Sequence, residues 1–158
     1  MSLSFLNLFE AAALIGEAEL LETKLFEALG RSSLLAVSAE TVVVLSVSSR
    51  RHGNLAVSFN DRLPVSASIP TESFRTVATP EGRAILASLH DEHLEGLDDA
   101  ARFFYLSTEV LPHLARFYED FLLKTSPTSD GPVRAVLDEA LTVLDEEIDL
   151  FGTLHALA

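Results

Sequence analysis

Glu17 is the acid in the N-terminal part of the chain with the clearest potential for chemistry, because it lies on an apolar helical stripe. The residues three and four positions away on either side are Ala13, Leu14, Leu20 and Leu21. Residues at these spacings share one helix face, so the carboxylate is expected to point into the core. A lone buried carboxylate is costly unless it is paired, protonated or metal-bound. Glu17 is therefore a candidate metal ligand, or a core acid paired with another side chain.

A histidine occupies the inward stripe of the next helical segment. That stripe reads Val42, Leu45, Ser49, His52, Ala56 and Phe59. Histidine is a common metal ligand, and it also pairs with carboxylates. His52 is expected either to bind a metal or to donate a hydrogen bond to Glu17.

Two later segments each offer alternative candidates. In the third segment Glu109 lies on a mixed stripe, whereas His113 is closer to the apolar line. In the fourth, Glu146 and Asp149 lie at the edge of the apolar arc, whereas Glu147 sits among apolar neighbours. Periodicity favours Glu147 as the inward acid. Depth in the bundle, measured as the number of residues from the turn between the two helices, favours Glu109 with Glu146, because both are equally far from that turn. We give this comparison slightly more weight.

Several other kinds of chemistry have no support in the sequence. The chain has no cysteine, which excludes disulfides, thiolate zinc sites and cysteine nucleophiles. None of its seven glycines belongs to a nucleophile elbow, a dinucleotide-binding fingerprint or a phosphate-binding loop. Metal-based or purely structural roles therefore remain for the inward acids and His52.

Four helical segments are expected to position these side chains. They span about residues 4–29, 33–63, 97–124 and 131–156 and carry helical periodicity with few breakers. Gly30 is a good residue to end the first helix, and Ser32-Ser33 offers N-cap types for the second. Short links make each pair antiparallel, and residues 64–96 cross between the pairs with a short helix at 80–93. Residues 1–158 are thus predicted to form one all-α domain, a four-helix bundle with a long crossover.

The net charge is strongly negative. Eleven Lys and Arg residues against 24 Asp and Glu residues give −13 at pH 7, which repels nucleic acid and anionic membrane surfaces. No apolar run approaches the length of a membrane span, and the first basic residue is Lys24, so the basic start of a signal peptide is missing. We expect a cytoplasmic protein without a membrane or nucleic-acid partner. The apolar excess predicts a large core and a homodimer contact.

Three short motifs resemble the ferritin-like superfamily. They are Gly16-Glu17, Arg51-His52-Gly53 followed by Asp61-Arg62-Leu63-Pro64, and Leu144-Asp145-Glu146-Glu147-Ile148-Asp149. The chain resembles small actinobacterial-style ferritin-like proteins, some of which are grouped with the tRNA hydroxylase family that uses a non-haem di-iron centre. Di-metal members place a Glu on the first and third helices and Glu-x-x-His on the second and fourth.

The resemblance implies a metal site with specific departures from this pattern. Carried over residue by residue, the implied ligands of iron or manganese are Glu17, His52, Glu109, Glu146 and Asp149. Ser49 stands where a Glu is expected three residues before His52, and Asp149 stands where a His is expected three residues after Glu146. The implied site is therefore short of a bridging carboxylate and a histidine.

Two hypotheses follow from these observations. In the first, the chain is a degenerate ferritin-like bundle without an intact di-iron site or a cofactor, with a binding or assembly role as a homodimer. In the second, it is an iron or manganese oxidase or hydroxylase in which the carboxylates neutralise the charge of the metal. The strip formed by Ser46, Ser49 and Gly53 either leaves room for a small apolar ligand or lets two helices approach closely.

Overall fold

A computed structural model describes residues 5–158, apart from the side chain of Asp91. Every regular element in this range is helical and none is a strand, which confirms the predicted all-α class. The α-helices are α1 (Leu8–Leu35), α2 (Ala39–Asn60), α3 (Pro80–Ser88), α4 (Asp91–Glu95), α5 (Asp99–Tyr105), α6 (Leu111–Lys124) and α7 (Gly131–Leu157). A 3-10 turn spans Thr71–Phe74, and a π segment spans Leu106–Val110. No helix in the described range is long and apolar enough to cross a membrane.

The first helix is displaced from its predicted bounds. Its predicted start at residue 4 lies outside the described residues, and α1 begins at Leu8. Asn7 is the N-cap, and it forms a capping box with Glu10 that satisfies backbone donors at the helix start. The helix continues through Gly30, its predicted end, to Leu35.

Gly30 lies inside α1, where the next helix packs closely against it. A Cβ at Gly30 would lie 3.3 Å from the hydroxyl oxygen of Ser49. Glycine at this position therefore allows the two helices to pack closely, and it does not mark a turn of the chain. The N-cap of α2 is Ser38, whose side chain accepts from the backbone N–H of Thr41, and the Ser32-Ser33 pair is buried within α1.

The connection between α2 and α5 lies against α1. The helix predicted at 80–93 is present as two shorter helices, α3 and α4. Thr79 caps the start of α3 by accepting from the backbone N–H of Gly82. The 3-10 turn, α3 and α4 all contact α1. At Gly16 the approach is so close that a Cβ would lie 2.0 Å from the carbonyl oxygen of Phe74.

The third predicted helix, 97–124, forms as α5, the π segment and α6 in continuous succession. The backbone keeps helical dihedral angles at both junctions. At the end of the π segment the N–H of Leu111 donates to the carbonyl of Leu106, five residues earlier. Pro112 follows directly. Proline has no N–H to donate in an ordinary helix turn, and the wider π turn lies at this point of the helix.

One continuous set of buried apolar side chains joins these elements. α1 pairs with α2, and α7 packs against α2, α5, the π segment and α6. Among the buried polar side chains, four are hydrogen-bonded to one another, one from each of α1, α2, α6 and α7.

Candidate functional site

His52 on α2 is completely buried and bridges two carboxylates. Its Nδ1 lies 2.6 Å from Oε2 of Glu22 on α1, and its Nε2 lies 2.7 Å from Oε2 of Glu147 on α7. Both distances are those of short, charge-assisted hydrogen bonds. An imidazole donates from both nitrogens only when it is protonated. The geometry fits an imidazolium that donates to a carboxylate on each side.

A tyrosine from α6 completes the group. The hydroxyl of Tyr118 is buried and donates to Oε1 of Glu22, so each oxygen of Glu22 has one partner. The ring of Tyr118 stacks on Phe59, with their centroids 5.5 Å apart. Glu22, His52, Tyr118 and Glu147 are called the His52 cluster below.

Each member of the cluster lies on the buried stripe of its own helix. The buried neighbours one turn away include Ala18 and Leu25 around Glu22, Ser48, Ser49, Leu55 and Ala56 around His52, and Val143, Leu144 and Phe151 around Glu147. Apolar packing keeps water away from the cluster. The same low polarity strengthens the hydrogen bonds that form and raises the cost of any group left unpartnered.

The surroundings of His52 favour its protonated form. Burial by itself lowers the pKa of His52, because the charged ring loses its hydration. The charges of Glu22 and Glu147 and their hydrogen bonds more than offset this loss and raise the pKa of His52 from its ordinary value of 6.5 to about 10. Burial raises the pKa of Tyr118 well above its usual range, and the adjacent Glu22 raises it further. At neutral pH the cluster thus contains a charged histidine and a neutral tyrosine.

Arg51 connects the cluster to the protein surface. Its guanidinium lies 4.0 Å from Oε1 of Glu147 and contacts the carboxylate of Glu146. Oε1 of Glu147 is buried and has no hydrogen-bond partner among residues 5–158. The guanidinium of Arg51 thus places a positive charge on the side of the Glu147 carboxyl group that His52 does not contact.

Glu17 is buried, as predicted, but its partner is neither His52 nor another acid. Its Oε1 accepts from the backbone N–H of Thr79 at 3.1 Å and from the hydroxyl of Thr79 at 2.5 Å. A Cβ at Gly82 would lie 2.0 Å from the same oxygen. The carboxylate therefore fastens the start of α3 to α1. The hydrogen bond that His52 was expected to donate to Glu17 goes to Glu22 instead.

The other three implied ligands, Glu109, Glu146 and Asp149, are exposed. On α7 Glu147 is the buried acid, so helix periodicity identified the inward residue and the depth comparison did not. Glu109 lies in the π segment, where an extra residue in the turn changes the face that each side chain occupies. The alternative candidate, His113, contacts the backbone carbonyl of Glu109 within the same helix.

Glu22 and Tyr118 are the two cluster residues absent from the sequence-based candidates, and Glu22 had a usable signal. It shares a face with Ala18, Leu25 and Leu29, which is a signal as strong as the one that selected Glu17. The two acids are five residues apart and lie on different sides of α1. Both sides are covered, one by α2 and the other by the connection after α2, so more than one apolar stripe on α1 is buried.

A di-metal centre does not fit the donors as they are arranged. Both ring nitrogens of His52 are already at hydrogen-bond distance from carboxylate oxygens. A metal on either nitrogen would have to displace a proton and separate the ring from a carboxylate. In the part of the chain that the structure describes, no three histidine, aspartate or glutamate side chains have an arrangement that could hold a metal ion.

An open groove of about 570 Å³ lies between α1 and α2, on the outer side of this helix pair. Ser46, Ser49 and Gly53 line it, so the small-residue strip predicted from the sequence borders this space. The hydroxyl of Ser49 donates to the backbone carbonyl of Phe26 at 2.8 Å. The groove is separate from the buried His52 cluster.

Comparison with known proteins gives no relative for this chain: no family model, no curated protein and no solved structure matches it.

Proposed function

We propose that this chain is a ferritin-like four-helix bundle without a metal centre, which acts in binding or assembly as a cytoplasmic homodimer rather than in catalysis. The proposal depends above all on the bridging position of His52, whose two ring nitrogens lie at hydrogen-bond distance from carboxylates of α1 and α7. Two long helices, a long connection and two further long helical stretches support the ferritin-like wiring.

In this proposal the His52 cluster is a structural tie between the main helices. Each of the four long helical stretches contributes one member. A shift of one helix along its axis would leave Glu22 or Glu147 buried without its partner, which costs several kcal/mol. The cluster therefore fixes the register in which the helices pack, and the specific outer surface depends on that register.

The alternative is an iron or manganese oxidase or hydroxylase. The observation that favours it is the buried Oε1 of Glu147, which has no hydrogen-bond partner among the described residues. Carboxylates and imidazoles are ligand types for these metals. Under this alternative Glu22, His52 and Glu147 would be the ligands, and the exposed acids Glu109, Glu146 and Asp149 would take no part.

Metal analysis of tag-free protein separates the two proposals. Cells are grown with added iron and manganese, and the purified chain is analysed for iron, manganese and zinc by mass spectrometry. The metal-free proposal predicts far less than one metal ion per chain, with no difference between the parent and Glu147→Gln. One or two ions per chain, lost in Glu147→Gln but kept in the exposed control Glu146→Gln, would overturn the metal-free proposal and favour the alternative.

A further inference from the structure

The outer face of α2 carries a regular row of exposed residues. The row consists of Val43, Val47, Arg50, Asn54 and Val57, with successive spacings of four, three, four and three residues. The three valines are 61%, 44% and 60% exposed. This row is called the α2 seam below.

This spacing is the one by which helices pack side by side. Apolar residues that alternate by three and four positions form the contact line of a coiled coil, in which each side chain inserts between residues of a facing helix. The inward side of α2 is already occupied by α1 and α7. The α2 seam is a second apolar line on the same helix, and it faces solvent.

We propose that the α2 seam is the contact between two copies of this chain, with the two α2 helices antiparallel across a two-fold axis. This inference rests on the homodimer in the proposed function and names its interface. An axis level with His52 sets Val47 of one copy against Val57 of the other, because both are five residues from His52. The same axis sets Arg50 against Asn54, each two residues from His52.

The polar pair in the seam is self-complementary. The guanidinium of Arg50 is a donor, and the amide oxygen of Asn54 is an acceptor. Neither side chain has a hydrogen bond or an ion pair within residues 5–158. The two-fold axis repeats the Arg50–Asn54 contact, so the dimer gains it twice. Polar residues at single seam positions select one register over others.

Charge also favours this face for contact between identical chains. Each copy carries a net charge of −13, so most approaches of two copies are repulsive. Residues 41–60 contain no Asp or Glu. In the groove beside the seam the acid is Glu19, whose Oε2 lies 3.0 Å from Nε of Arg75. The middle of the seam therefore brings no acid to a second copy, and the acids of this face, Glu40 and Asp61, lie at the two ends of α2.

The neighbouring helix widens the apolar part of this face. Phe26 on α1 is 44% exposed, and a Cβ at Gly53 would lie 3.1 Å from its ring. α2 has 22 residues, which corresponds to a length of about 33 Å. A specific interface of about 800 Å² per copy would have to include Phe26 together with the seam. It would also cover the groove between α1 and α2.

Sedimentation equilibrium of the full chain tests the interface. The parent is expected to be a dimer, and Val47→Glu and Val57→Glu are expected to weaken dimerisation at least tenfold, because each places an uncompensated charge in the contact. Val65→Glu is the matched control, since Val65 is 97% exposed and lies outside α2. It should remain as dimeric as the parent, and circular dichroism should confirm that all variants stay helical.

A charge exchange tests the antiparallel register. Arg50→Glu alone and Asn54→Arg alone should each weaken the dimer, the second because it sets two arginines together. The double variant Arg50→Glu/Asn54→Arg should restore dimerisation, since each glutamate then faces an arginine of the other copy.

The outcomes separate this inference from the proposed function. A dimer that persists in both Val47→Glu and Val57→Glu overturns the seam while the homodimer stands. A double charge variant no more dimeric than either single variant overturns the antiparallel register. A monomeric parent overturns both the seam and the proposed homodimer, and binding of a small apolar molecule in the groove of that monomer would assign the face to a ligand instead. Metal content has no bearing on any of these results.

Discussion

At the residue scale, the charge of His52 is tolerated in the core because two carboxylates hold it from opposite sides. The pair distances of 2.6 and 2.7 Å leave no room for water between the groups. Removing His52 leaves Glu147 without a hydrogen-bond partner and leaves Glu22 with Tyr118 alone, whereas removing all four members removes the need for partners. Single and multiple substitutions should therefore differ sharply.

Replacing His52 with leucine should lower the free energy of unfolding by about 3–5 kcal/mol, because Glu22 and Glu147 lose their common partner. The apolar variant Glu22→Leu/His52→Leu/Glu147→Leu with Tyr118→Phe should recover most of that loss. Urea denaturation at pH 7 measures both. If the fully apolar variant is as unstable as His52→Leu, the loss of stability comes from altered packing and not from unpaired buried charge.

The sequence identified some cluster residues and not others for definite reasons. The inward direction of His52 follows from one unbroken apolar stripe on α2, and periodicity also pointed to Glu147. Glu22 was missed because other elements cover α1 on two sides. The stripe that contains Glu22 faces His52, and the stripe that contains Glu17 does not. Tyr118 carried no signal, since a tyrosine on an apolar face is ordinary core.

At the element scale, the packing of the connection against α1 depends on glycine. The carbonyl of Phe74 occupies the space that a side chain at Gly16 would need. Backbone cannot move aside as a flexible side chain can. Glu17, the residue after Gly16, accepts from Thr79 and provides the polar fastening of the same connection.

Gly16→Ala should therefore destabilise the protein by roughly 1–3 kcal/mol through overpacking, although alanine is the better helix former. Gly152→Ala in α7 is the matched control, because a Cβ there meets nothing within 4 Å. That variant should gain up to about 1 kcal/mol from helix propensity. Thermal unfolding compares the two, and equal effects would contradict the close contact at Gly16.

The helix order was predictable from periodicity, whereas several boundaries were not. Glycine is a common residue at a helix end, yet Gly30 lies within α1, where Ser49 packs against it at close range. The third helix was predicted as one uninterrupted segment, whereas it contains a π segment before Pro112. Such details depend on tertiary packing, which outweighs local propensity.

At the scale of the whole molecule, proton binding by the cluster links folding to pH. The pKa of His52 is about 10 in the folded chain, above its ordinary value of 6.5, which approximates the unfolded chain. Between these values the folded chain binds more protons, so the contribution of His52 to stability is complete below pH 6.5 and is lost as pH rises through about 10. The raised pKa of Tyr118 acts in the same direction at still higher pH.

The free energy of unfolding should accordingly fall as the pH is raised from 6.5 towards 10. Urea titrations at a series of pH values measure this slope. The variant Glu22→Leu/His52→Leu/Glu147→Leu with Tyr118→Phe supplies the comparison. Its free energy of unfolding should fall less steeply over the same pH range. An unchanged slope would show that other groups, and not the cluster, control the dependence.

The protonation state of His52 tests the central claim most directly, namely that protons and not a metal join the carboxylates. Chain labelled with ¹⁵N, produced with added iron and manganese, is studied by histidine side-chain NMR at pH 8, with His52→Gln used for assignment. The account predicts that both ring nitrogens of His52 carry hydrogen at this pH, which lies below its pKa of about 10. A ring with one unprotonated nitrogen, or a His52 signal broadened or shifted by bound metal, would contradict it.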